Sequence, residues 1–152
     1  MRQTSPKQSP PPEPPRSKPV ILYVEDDEDN WDVAALRLGP HYELLHAASA
    51  ERACAMLREH GHRLQLIMMD IELRGSDLSG TELAQLWRGH LPATTTLPAY
   101  ARDLPAVTRP ILFVTAHSTQ HDLVKLMLSS GEQVISKPVD FKELMTALAK
   151  LA

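Results

Sequence analysis

Val20-Ile21-Leu22-Tyr23-Val24 runs without a break into Glu25-Asp26-Asp27. Five bulky residues with no polar alternation read as a strand buried on both faces, as in a parallel sheet. Three more pieces repeat the arrangement with a different terminal group. Leu64-Gln65-Leu66-Ile67-Met68-Met69 ends in Asp70, Ile111-Leu112-Phe113-Val114 ends in Thr115, and Val134-Ile135-Ser136 ends in Lys137-Pro138. In sheets of this kind ligands bind beyond the carboxyl ends of the strands. The four ends are therefore expected to converge on one site with several carboxylates, a hydroxyl and one amine. Such a set suits a divalent cation together with a phosphoryl group.

Between these pieces the apolar period becomes helical. Trp31, Ala34, Ala35 and Leu38 form a stripe that stops at Gly39-Pro40. Tyr42 to Ala47 reads as a further strand, and Ala50 to His60 as a helix closed by Gly61. Gly80 to about Arg88 is helical, with Leu83, Leu86 and Trp87 on one side. Ser118 can cap another helix and Gly131 can end it. Asp140 with Glu143 suggests a capping box before a last stripe of Phe141, Leu144, Leu148 and Leu151. Five β-α pairs in succession predict an α/β fold: a doubly wound five-stranded parallel sheet with helices on both faces.

A chain of 152 residues suits one domain with an ordinary core. Seven of its thirteen prolines fall in residues 1–19, which lack apolar periodicity and read as a disordered or polyproline-like tail. The domain is expected over residues 20–152. The tail holds Arg2, Lys7, Arg16 and Lys18 against Glu13, a net of +3, so the body carries −6 of the chain's −3. An acidic body argues against a nucleic-acid surface. No stretch has the apolar core of a signal peptide or the length of a membrane span, so no membrane partner is expected. Cys54, the single cysteine, reads as a small packed residue, and the location expected is cytoplasmic. The pairs His60/His62 and His117/His121 supply too few ligands for zinc. Met68 and Met69 read as core.

With its acidic cluster, Asp, Thr and Lys-Pro in this order at successive strand ends, the chain resembles the receiver domain of two-component response regulators from about Val20 to Ala152. The resemblance implies a flavodoxin-like sheet order of 2-1-3-4-5. It implies Asp70 as phosphoacceptor, with Thr115 and Lys137 holding phosphoryl oxygens. It implies Mg²⁺ held by Glu25, Asp26, Asp70 and the backbone carbonyl of Glu72, with Asp26 the direct ligand and Glu25 reaching through water. Asp27, one residue beyond the matched pair, reads instead as the start of the first helix. Further implications are a cis bond before Pro138, rate tuning by Glu72 and His117, and a switch involving Thr115 and the residue three before the lysine. That residue is usually aromatic and here is Val134, stiff about χ1 and without a ring to swing.

Each element also has a plainer reading. The run Glu25-Asp26-Asp27-Glu28-Asp29 alone is most often a solvated helix start, Asp70 alone could be a cap, and Thr115 alone says nothing. Their joint order favours a phosphorylation-dependent switch charged by a histidine kinase or phosphotransfer protein. It is expected to have no output domain of its own, an unknown output protein as partner, and no catalysis beyond its own phosphorylation and dephosphorylation. One alternative is a pseudo-receiver that binds proteins independently of phosphate. Another is a phosphohydrolase of the haloacid-dehalogenase type, although there the nucleophile usually opens the chain in an Asp-x-Asp motif.

Two departures from the family pattern lie in loops. The stretch after Asp70 (IELRGSDLSG) is longer than usual before its last glycine. Residues 89–109 connect a helix to a strand where two to six residues suffice. Leaving from the amino ends of the strands, this second segment is expected opposite the site. It could either fold back over a helix edge or dock a partner.

Overall fold

The computed structural model describes residues 18–115 and 132–151. Its strands are β1 Val20–Val24, β2 Glu43–Ala47, β3 Leu64–Asp70, β4 Ile111–Thr115 and β5 Gln133–Ser136. The α-helices among the described residues are α1 Glu28–Leu38, α2 Ala50–His60, α3 Gly80–Arg88 and α4 Phe141–Leu151. The helix expected between Ser118 and Gly131 lies outside the described residues, as do residues 1–17 of the proline-rich stretch. All strand pairs are parallel, in the order β2-β1-β3-β4-β5.

Successive strand residues point to opposite faces. Leu22, Val24, Ile67, Met69 and Phe113 pack with Ala53, Leu57, Leu83 and Trp87 of α2 and α3. Ile21, Tyr23, Met68, Leu112 and Val114 pack with Ala34, Leu38, Leu144 and Leu148 of α1 and α4. This double cover is why the strands read as unbroken apolar runs. Cys54 is buried, and the Trp87 indole N–H, which has no oxygen or nitrogen acceptor, faces its sulfur.

Helix starts follow capping chemistry. The Asp27 side chain accepts from the Asn30 N–H and Ser49 from the Arg52 N–H. Asp140 Oδ1 accepts from the N–H groups of Lys142 and Glu143, one half of the expected capping box. A reciprocal box stands instead at Ser79 and Glu82, which the sequence reading passed over. Gly89, at φ +75°, ends α3 in the left-handed conformation that glycine adopts without strain.

Residues 89–109 hold one short 3₁₀ turn, Ala99–Ala101. The segment folds back over the α2–α3 side of the sheet. Ala101 and Val107 are buried there, and Leu97, Tyr100 and Leu104 pack on the same core. Arg58 of α2 donates to the Arg102 carbonyl at 2.6 Å, and the Val107 N–H donates to the Trp87 carbonyl at 3.0 Å. Its middle is not confined to the amino end of the strands. The Tyr100 phenol is pushed up in pKa by burial and then by the carboxylates of Asp77 and, further down, Glu51. Asp77 belongs to the β3–α3 loop and Glu51 to the first turn of α2, both on the carboxyl side of the sheet.

Candidate functional site

The chain leaves β1 toward β2 on one side and later enters β3 on the other, so the carboxyl ends of β1 and β3 flank a topological switch point. The register does the rest. Val24 pairs with Met69, so Glu25 and Asp70, each one residue further along, stand side by side. An open cleft of about 620 Å³ lies over this point, and Glu25, Asp26, Asp70, Glu72 and Lys137 line it.

Glu25 is fully buried. Its Oε1 accepts from Asn30 Nδ2 at 2.9 Å and from the Asp27 N–H at 3.4 Å, and its Oε2 accepts from the Tyr23 hydroxyl at 3.2 Å. Lys137 Nζ lies 3.0 and 3.3 Å from the two oxygens. The same ammonium is 3.5 Å from Asp70 Oδ2. Asp70 Oδ1 accepts from the Glu72 N–H at 3.4 Å, and Asp26 Oδ2 from the Arg74 N–H at 3.0 Å.

One ammonium thus pairs with two carboxylates, and a third, Asp26, stands beside them. Burial, and next the charge of Glu25, push the Asp70 carboxyl up to about 7 against the opposing pull of Lys137 and the Glu72 N–H. Glu25, Asp26 and Asp70 can each bring an oxygen within 4.8 Å of the others. This donor set is all oxygen, anionic and short of positive charge, so it fits a hard divalent cation such as Mg²⁺. The four donors already on Glu25 leave it better placed to reach such an ion through water than directly.

The other expected residues are distributed unevenly. Thr115 is buried at the end of β4, and its carbonyl accepts from the Lys137 N–H at 2.7 Å. The Lys137-Pro138 bond is cis. The Glu72 side chain is exposed at the mouth of the cleft. Val134 lies opposite Phe113, partly buried against the α2–α3 side. His117 lies outside the described residues.

Sequence reasoning missed the supports. Tyr23 could have been found from its place two residues before Glu25 on the same face, and Asn30 from its position in the first turn of α1. Gly80 was read only as a helix start. A Cβ there would stand 1.8 Å from the Asp70 carbonyl oxygen, so only glycine lets the β3–α3 loop close.

The family model of the response regulator receiver domain matches residues 21–149, and the chain belongs to that family. It is 32% identical over 127 residues to an uncharacterized transcriptional regulatory protein, YrkP, of Bacillus subtilis (strain 168). That match covers 82% of this chain and 45% of the relative, so the chain spans under half of that protein's length. A response regulator receiver domain protein (CheY-like) from Methanospirillum hungatei JF-1 is 26% identical with a TM-score of 0.64, covering 88% of this chain and 93% of its own. The receiver domain of NtrX from Brucella abortus shares the fold at 23% identity and a TM-score of 0.66, covering 86% and 96%. The protein is therefore a signalling receiver domain of the two-component type. Among the described residues no helix is long and apolar enough to cross a membrane.

Proposed function

We propose that this receiver takes a phosphoryl group onto Asp70 from the phosphohistidine of a histidine kinase or phosphotransfer protein, and so acts as a phosphorylation-dependent switch. The observation that carries the reading is the Lys137 ammonium set between Glu25 and Asp70 at the switch point, in a cleft short of positive charge. An Asp70 oxygen attacks phosphorus. The new O–P bond forms as the P–N bond breaks, and the electron pair returns to the donor's ring nitrogen. Lys137 pairs with one transferred oxygen and Thr115 donates to another. Glu25, Asp26, Asp70 and the Glu72 carbonyl would hold Mg²⁺, Glu25 through water, and the ion would supply neutralisation of the charge gathered at the cleft. Glu72 and His117 set the lifetime of the phosphorylated form by acting on the hydrolytic water. Thr115 with Val134 forms the switch pair, which moves by a shift in packing since no ring is present. In this reading the exchange is cytoplasmic and the partners are proteins, not nucleic acid or membrane.

Incubation with Mg²⁺ and acetyl phosphate tests this. Wild type should label, and Asp70→Asn should fall to background. Full labelling of that variant removes Asp70 from the role, and an unlabelled wild type favours the phosphate-independent interaction module. Steady turnover of a simple phosphomonoester would favour the hydrolase instead.

A further inference from the structure

β1 ends at Val24, and the Glu25 N–H makes a last ladder-like bond to the Ala47 carbonyl at 3.0 Å. The Glu25 carbonyl lies beyond the ladder, on a fully buried residue, where an unpaired backbone acceptor is costly. A side chain fills the gap. His46 Nε2 stands 2.8 Å from that oxygen and donates to it, since a carbonyl can only accept. His46 comes from β2, directly across from Tyr23. Its ring lies flat on Trp31 of α1, with centroids 4.3 Å apart and planes 4° from parallel. Trp31 in turn meets Tyr23, whose hydroxyl holds the Glu25 carboxylate. The imidazole therefore cannot turn without opening a stack between β2 and α1.

The carbonyl that His46 grips belongs to the peptide joining Glu25 to Asp26. Holding its oxygen sets the plane of that peptide, and the plane sets the direction in which the Asp26 side chain leaves the backbone. We propose that His46 is a positioning residue of the metal site: through the Glu25–Asp26 peptide it aims the Asp26 carboxylate into the cleft. Outer partners of this kind tune an ion they never touch. The proposal rests on the reading of Glu25 and Asp26 as holders of Mg²⁺. It differs from a purely packing role, in which the stack on Trp31 would be all that matters.

The two roles separate by substitution. His46→Phe keeps a flat ring for Trp31 and loses the N–H, whereas His46→Gln loses the stack and keeps a donor. Titration of MgCl₂ by calorimetry should show affinity about tenfold weaker in His46→Phe and within about twofold of wild type in His46→Gln. Labelling by acetyl phosphate should follow, with His46→Phe needing more Mg²⁺ for half-maximal rate yet reaching the wild-type rate at saturation. Unchanged Mg²⁺ affinity in His46→Phe overturns the proposal, and so does equal weakening of both variants. If His46→Phe does not fold, His46→Met against His46→Gln makes the same comparison between flexible chains. A wild-type protein that binds no Mg²⁺ would instead sink the underlying reading of the site.

Discussion

At the carboxyl edge of the sheet, Glu25 and Asp70 share the single ammonium of Lys137, and the Asp26 carboxylate stands beside them without it. At the amino edge, the Arg88 guanidinium meets both oxygens of Glu132 at 2.9 and 3.2 Å and donates to the Val107 carbonyl at 2.9 Å. The first cluster leaves negative charge uncompensated, and the second joins the end of α3, the residues before β4 and the start of β5. The contrast separates two uses of buried charge. A paired cluster ties elements together, whereas an under-neutralised one holds its groups ready for a cation or a phosphoryl group to complete.

The largest effect is expected where the carboxyl edge has no room. Gly80→Ala places a methyl group on the Asp70 carbonyl, so the β3–α3 loop must open. Urea unfolding should show a loss of about 3 kcal/mol, and acetyl phosphate labelling should fall with it. Wild-type behaviour of both would show that the loop has slack the geometry denies. Arg88→Met attacks the other edge. It strands Glu132 and the Val107 carbonyl and should cost about 2 kcal/mol, while labelling of the folded protein stays at the wild-type rate. Loss of labelling at full stability would show that the two edges are not independent.

The smallest effect is a slope. The Asp70 carboxyl, raised from its ordinary 3.8 to about 7, binds more protons in the folded chain than in the unfolded one between those values. Its contribution is therefore fully present below pH 4 and is lost as pH rises toward 7. Without Mg²⁺, urea midpoints of wild type minus those of Asp70→Asn should decline from pH 5 to pH 7.5. Mg²⁺ must displace the same proton, so it should bind more tightly as pH rises through that window. A flat difference would mean that Lys137 already neutralises Asp70.

The site's reactive groups were legible because each ends an apolar run: Asp70 after Leu64–Met69, Lys137 after Val134–Ser136. Burial on both faces forces that pattern into the sequence, and the parallel topology brings the ends together. The supports around Glu25 were not legible in the same way. Tyr23 and Asn30 are near in sequence, but His46 comes from an edge strand, and its place depends on pairing across from Tyr23. Nothing in the pattern of β2 marks one histidine as a donor to another strand's carbonyl.

The long segment before β4 divides along the same line. Its apolar residues, Leu97, Tyr100, Leu104 and Val107, marked it as more than a solvated spacer, and its connection to β4 placed one end at the amino edge. Only the tertiary structure carries its middle over α2 and brings Tyr100 near Asp77, because that path depends on the shape of the face between α2 and α3. By itself the sequence determined the fold, the strand ends and the acidic, hydroxyl and amine groups they carry, since local periodicity and burial act on neighbouring residues. The tertiary structure alone decided how one ammonium is shared, which side chains aim the acids and why position 80 admits no Cβ. These depend on distances of a few ångströms between residues far apart in the chain.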